Sequence, residues 1–273
     1  MTLERFQGST LVVKYGGNAM TDSTLKAGFA SDVVELSRQG IRVVVVHGGG
    51  PQINEMLDRL SMVSAFAGGF RVTDEKTVSV VQMVLGGLVQ PEIVGLINKA
   101  GGSAVGISGI DAHLLECEKR NVLIDGISTD IGLVGEVVGV NPEILYTLLD
   151  ASQIPVISSY GNDPTGQVLN VNADTAAGAI AGSLAAEALV MLTDVAGLYS
   201  EWPNSSEVIS EITTSQLRSL LPSLSSGMVP KMEGCLKAVE LGAKEALIID
   251  GRVPHCLLNV LDSEEISGTK VVQ

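Results

Sequence analysis

Positive charge is scarce in this chain of 273 residues, where 17 Lys and Arg stand against 31 Asp and Glu, a formal net charge of −14. That balance argues against nucleic acid or an anionic membrane surface as the main partner. It also means that a site for an anionic ligand must gather its few cations locally, so a Lys or Arg beside a glycine loop carries weight. Cysteine is rare too. Cys117, Cys235 and Cys256 are odd in number and form no C-x-x-C pair, which points to reduced thiols in a cytoplasmic protein. No basic segment followed by a long apolar run opens the chain, so export is not expected. The longest weakly polar stretch, residues 176–192, contains Ser183 and Glu187 and reads as a helix then a strand rather than a membrane span. Both G-x-x-x-x-G-K-[ST] and G-x-G-x-x-G are missing, which leaves a P-loop enzyme or a Rossmann dehydrogenase without its fingerprint. His113 and His255 have no metal-ligand spacing around them. His47 has a glycine loop beside it but no paired carboxylate, and reads as structural.

A hydrophobic fraction of 45% and 31 glycines fit a compact enzyme with a substantial core. Strand and helix signals alternate almost throughout, which predicts an α/β fold, a three-layer αβα sandwich around a mainly parallel sheet. Residues 11–14 and 42–46 are apolar strands, 25–39 a helix, and 51–60 a helix opened by Pro51 at its favoured first position. Residues 67–73 form a hairpin, 74–99 a long helical stretch, and 114–140 a set of hairpins projecting from the sheet. Residues 170–184 are a loop entering an Ala-rich helix, and 188–192 a strand. The polar stretch 199–226, with Trp202-Pro203-Asn204, reads as surface loops around one helix, and 270–272 as a last edge strand. The chain divides into two lobes, 1–186 and 187–273.

Two glycine loops follow apolar strands: Lys14-Tyr15-Gly16-Gly17-Asn18 and His47-Gly48-Gly49-Gly50-Pro51. Glycine lets backbone N–H groups close on an anion, and a helix starting after the loop adds its positive end. At the carboxyl ends of parallel strands both loops face one crevice. Lys14 ends a strand, where burial is costly unless it meets an anion. Lys231, in Gly227-Met228-Val229-Pro230-Lys231, is a second cation beside glycine. Cations and bare amides aimed at one place suit a transferring phosphoryl group. Arg71 is either a surface charge on its hairpin or a fork for a carboxylate. Asn170-Val171-Asn172-Ala173-Asp174 offers Asn172 as a helix cap and Asp174 as an anchor for lysines.

These segments, together with Gly69-Phe70-Arg71-Val72-Thr73 and Thr193-Asp194-Val195-Ala196-Gly197-Leu198-Tyr199, resemble the amino acid kinase family in family order over nearly the whole chain. Arg71 and the Asn-Val-Asn-Ala-Asp segment point to the members that act on N-acetyl-L-glutamate. The resemblance implies transfer of phosphoryl from MgATP to the side-chain carboxylate of that substrate, a step of arginine biosynthesis. It implies Lys14 and Lys231 on the γ-phosphoryl, with Asp174 orienting both. Gly16, Gly17, Gly49 and Gly50 would bind oxygens through their amides. Arg71, Asn170 and Asn172 would hold the acceptor, and Asp194, Tyr199 and Met228 would line the nucleotide pocket in the second lobe. No protein ligand set for Mg²⁺ is implied. Only 13 residues precede Lys14, too few for the N-terminal helix that builds hexamers of arginine-inhibited members, so a homodimer is expected. Asn259 stands where arginine-sensitive members tend to carry a charge, so arginine feedback is not implied. Aminoadipate or glutamate as acceptor, and a non-catalytic sensor of amino acid and nucleotide, are the other readings; Arg71 with Asn170 disfavours the former, and the paired lysines the latter.

Overall fold

The computed structural model describes residues 3–124, 126–200, 205, 207–263 and 267–273, so the Trp202-Pro203-Asn204 segment lies outside the described residues. The chain opens with β1 (Thr10–Tyr15), α1 (Ser23–Arg38), β2 (Arg42–His47) and α2 (Gly50–Arg59). The hairpin β3 (Phe66–Ala67) and β4 (Phe70–Arg71) precedes α3 (Glu75–Val84), which runs through a π-helical turn at Leu85–Val89 into α4 (Gln90–Lys99). There follow β5 (Ala104–Ser108), β6 (Leu115–Ile124), β7 (Ile127–Val140), α5 (Glu143–Asp150), β8 (Ile154–Ser158), β9 (Tyr160–Asn162), β10 (Val168–Val171), α6 (Ala173–Ser183) and β11 (Ala188–Thr193). The last elements are β12 (Glu211–Thr213), α7 (Thr214–Leu220), α8 (Val229–Glu240), β13 (Ala246–Asp250), α9 (Cys256–Leu261) and β14 (Thr269–Val272).

Among the described residues eight strands form one sheet in the order β12-β14-β13-β11-β1-β2-β8-β5, with β13 and β14 its only antiparallel neighbours. Apolar residues cover both faces of its central strands, as expected of parallel strands packed between helices. Along β1, Leu11 and Val13 face one core and Val12 the other; along β2, Val43 and Val45 oppose Val44 and Val46. The first core takes Phe29 and Val33 of α1, Ile93 and Ile97 of α4, and Leu257 of α9; the second takes Leu145 of α5, Ile180 of α6 and Met232 of α8. This is the αβα sandwich expected, and a single sheet runs through it.

Three boundaries differ from the sequence reading. Residues 211–213 are a strand rather than loop, and β12, not β14, is the edge of the sheet. A three-residue strand with only Ile212 buried carries too little pattern to be seen. Asn170 sits on β10 rather than in a loop, and β10, β7, β6 and β9 close into a small barrel, which is what the hairpins of 114–140 become. Residues 176–192 are a helix then a strand, as expected, and among the described residues Glu75–Lys99 is the one stretch long and apolar enough by length and composition to cross a membrane. Its inward side, including Val81, Val84, Leu85, Val89 and Ile97, is buried in the first core.

Candidate active site

The sheet brings Lys14 and Lys231, 217 positions apart in sequence, onto one carboxylate. Lys14 Nζ at the end of β1 lies 2.8 Å from Asp174 Oδ1, and Lys231 Nζ in the first turn of α8 lies 3.2 Å from Asp174 Oδ2. Asp174 is itself in the first turn of α6, where the helix dipole favours a negative charge. Asn172 caps that helix, accepting from the backbone N–H groups of Asp174 (2.8 Å) and Thr175 (3.3 Å), and so fixes where the carboxylate points. Burial alone pushes the Asp174 carboxyl up, but Lys14 and Lys231 together hold it below the ordinary carboxylate range. Burial pulls the Lys14 ammonium below its ordinary value; Asp174 holds it up in part and Lys231 lowers it further. Two like charges thus share one buried counter-ion, an arrangement that an arriving anion relieves.

Lys231 reaches Asp174 because α6 and α8 meet backbone to backbone. A Cβ built on Gly178 of α6 would lie 2.2 Å from the carbonyl oxygen of Gly234, and one on Gly234 of α8 would lie 2.4 Å from the carbonyl oxygen of Asp174. Sequence reasoning missed this pair, since a lone glycine inside a helix carries no pattern of its own.

The glycine loops close around the same place. Lys14, Gly16, Gly17, Gly49, Gly50, Arg71, Asn170, Asn172 and Asp174 all line one cavity of about 290 Å³, near the lower end of ligand-sized spaces. In the second loop, Gly48 N–H donates to the Tyr15 carbonyl, and the Gly49 carbonyl accepts from Ile53 N–H. Among the described residues the N–H groups of Gly49 and Gly50 donate to nothing, and Pro51 has none to offer. They are free donors at the start of α2. The π turn lays Leu85 and Val89 against Gly49, closing its other side. Gly17 has φ +71°, a left-handed conformation, and a Cβ there would strike the Asp194 carboxylate at 2.7 Å. Asp194 therefore stands over the first glycine loop.

Arg71 is buried in the cavity wall, where Nη2 donates to Asn54 Oδ1 at 2.6 Å, Nη1 donates to Ser64 Oγ, and the guanidinium stacks over Phe66. Asn170 Nδ2 donates to Thr73 Oγ1 at 3.1 Å. Asn54, Ser64 and Ser159, a further lining residue, were not singled out from the sequence. Asn54 follows the buried Ile53 on α2 among other exposed polar residues, and one polar residue more on the outer face of an amphipathic helix gives no signal. A second cavity, of about 520 Å³, is lined by Leu198, Tyr199, Leu220, Leu224, Ser225 and Met228. Tyr199 and Met228 are thus together, apart from the first cavity.

His47 is fully buried behind the second loop, with Nδ1 2.8 Å from the Gly48 carbonyl oxygen and Nε2 3.0 Å from Ser158 Oγ. Burial pushes its pKa down from 6.5 to about 4. Between those values the unfolded chain binds a proton at this position and the folded protein does not. The His47 contribution to stability is therefore fully present above pH 6.5 and lost as pH falls toward about 4, a difference of about 3 kcal/mol. Urea unfolding from pH 8 to 4 should show that loss, and His47→Asn should flatten it.

Bare amides, two lysines and one aspartate at the carboxyl ends of parallel strands define a class of protein built to hold phosphoryl oxygens in an α/β sandwich. The chain belongs to the amino acid kinase family, whose profile matches residues 9–250. It is 54% identical over 270 residues to the acetylglutamate kinase of Mycobacterium sp. (strain JLS), covering 99% of this chain and 93% of that one. Among solved structures, N-acetylglutamate synthase from Neisseria gonorrhoeae, complexed with coenzyme A and N-acetyl-glutamate, aligns with a TM-score of 0.84 at 25% identity. The match covers 99% of this chain but only 61% of the synthase. Carbamate kinase from Giardia lamblia bound to AMP-PNP shares the fold at a TM-score of 0.72 and 16% identity, over 97% of this chain and 99% of that one.

Proposed function

We propose that the protein transfers the γ-phosphoryl group of ATP to the side-chain carboxylate of N-acetyl-L-glutamate, forming the acyl phosphate of arginine biosynthesis. The observation that carries this reading is Asp174 between two lysine ammonium groups at 2.8 and 3.2 Å, beside the unused amides of Gly49 and Gly50. The names of relatives more than half identical over nearly the whole chain support the acceptor. A carboxylate is already an anion at neutral pH, so the reaction needs no general base. The difficult step is holding two anions together, and preorganised donors supply it.

In this reading Lys14 and Lys231 meet the charge on the moving phosphoryl group, and Asp174 sets the distance between them. Gly16, Gly17, Gly49 and Gly50 donate amides to phosphoryl and carboxylate oxygens. Arg71, Asn170 and Asn172 hold the far end of the acceptor, while Tyr199 and Met228 hold the nucleotide and Asp194 orders the first glycine loop beside it. Among the described residues no three His, Cys, Asp or Glu side chains gather into a metal site. In this reading nucleotide phosphates and water would hold the Mg²⁺, and the ion would supply charge neutralisation when bound. The division into an acceptor lobe (1–186) and a nucleotide lobe (187–273) belongs to the same proposal. It is supported by a first cavity lined wholly from residues 14–174 and a second lined from 195–228. Exposed Met83 and Leu88 on the long helical stretch support a homodimer, and three buried free thiols support a cytoplasmic setting.

A hydroxylamine-trapping assay tests the function. Acyl phosphate should form with ATP and N-acetyl-L-glutamate, and glutamate should be a far poorer acceptor; equal rates with both would overturn the choice of acceptor. Arg71→Ala should raise the acceptor KM about 10- to 100-fold, the worth of a charged hydrogen bond, with the ATP KM little changed.

A further inference from the structure

We propose that His47 is a positioning residue, whose Nδ1–H holds the Gly48 carbonyl so that the Gly49 N–H faces the acceptor cavity. The inference rests on the phosphoryl-transfer reading, in which that N–H meets a substrate oxygen. His47 is 0% exposed and lies behind the loop that forms the cavity wall, so it cannot touch substrate itself.

The hydrogen bonds fix the tautomer. A carbonyl oxygen only accepts, so the ring nitrogen 2.8 Å from Gly48 O must carry the proton. Burial keeps the ring neutral above about pH 4, which leaves Nε2 an acceptor; of the two acceptors within reach of the Ser158 hydroxyl, Nε2 at 3.0 Å is nearer than the Leu85 carbonyl oxygen at 3.4 Å. The Ser158 oxygen accepts in turn from Gln90 Nε2 at 2.9 Å, and the second hydrogen of that amide faces the carbonyl oxygens of Ile107 and Val156. Gln90 is the first residue after the π turn that packs on Gly49. A directed chain thus runs from Gln90 through Ser158 and His47 to Gly48.

The clamp acts through the peptide plane. In a trans peptide the C=O and the following N–H point in opposite directions, so pinning the Gly48 carbonyl toward His47 turns the Gly49 N–H the other way. Three consecutive glycines have no side chains to oppose a flip of that peptide. The neighbouring bonds, Gly48 N–H to Tyr15 and Ile53 N–H to Gly49, hold the residues on either side but leave this peptide to His47. A flipped peptide would aim a carbonyl oxygen at two incoming anions.

His47→Leu removes the clamp and should lower kcat about 10²-fold, the loss expected for one amide donor, with the ATP KM within about twofold of wild type. His47→Asn can place an amide nitrogen near the Nδ1 position and should recover about tenfold of that loss. A merely structural histidine would not be rescued in this way. Independently of either variant, ¹⁵N NMR of the wild-type ring should show Nδ1 protonated and Nε2 bare from about pH 5 to 8. An Nε2-protonated ring, wild-type kcat in His47→Leu, or an Asn variant no better than Leu would each overturn the proposal. If His47→Leu does not fold, the ring spectrum decides. A wild-type enzyme that forms no acyl phosphate would instead remove the phosphoryl-transfer reading, so the two failures are distinct.

Discussion

Lys14→Met should lower kcat about 10²- to 10³-fold while moving the KM for ATP only a few-fold. The lysine is the penultimate residue of β1 with 7% exposure, and its charge is held in place by Asp174 rather than by water. Its interaction with the phosphoryl group grows as charge builds in the transition state, so the loss falls on turnover more than on ground-state binding. Methionine keeps the volume of the stem and removes only the ammonium group. Asp174 Oδ1 is buried and accepts no well-angled hydrogen bond, so the Lys14 charge is its chief compensation. Removing one partner of a buried pair costs about 3–5 kcal/mol, and here Lys231 on Oδ2 tempers the loss. Steady-state kinetics and denaturant unfolding on the same preparation separate the effects. A kcat within tenfold of wild type in a folded variant would refute a phosphoryl-contacting role for Lys14.

Much of this site could be read from the chain because its features are costly anywhere else. A lysine ending a buried strand and glycines placed where strands give way to helices each break a local rule, and such breaks mark function. In the sequence Asn172 fits both a helix cap and a ligand-binding residue; it caps α6 and also lines the cavity. The sandwich was legible for a similar reason, since β1, β2, β8 and β11 are runs of apolar residues that only a sheet covered on both faces can bury. What escaped notice depends on contacts between distant segments. Ser64 and Asn54 matter because the hairpin folds Arg71 back onto them. The position of Asp194 is set by how closely β11 passes the first glycine loop, which no spacing along the chain encodes.

Gly234→Ala is expected to damage stability and turnover together, against the helix propensity of the new residue. Alanine is worth about 1 kcal/mol over glycine in a helix interior. At this position its methyl group would lie 2.4 Å from the Asp174 carbonyl oxygen and 2.7 Å from Met191 Cε. The methionine can rotate away; the backbone carbonyl cannot. Helix α8 must therefore move off α6, and an overpacked core typically loses about 1–3 kcal/mol. Lys231 lies one turn ahead of Gly234 on the same helix, so the shift withdraws its ammonium from Asp174. A displacement of about 1 Å can cost about 10²-fold in rate. Gly28→Ala in α1 is the control, because a Cβ there comes no closer than 3.9 Å to a neighbour. It should gain about 0.5–1 kcal/mol with unchanged kcat. Unfolding midpoints and kcat for the two variants decide the matter: if Gly234→Ala matched the control in both, close contact between α6 and α8 would not be what sets the lysine–aspartate–lysine geometry.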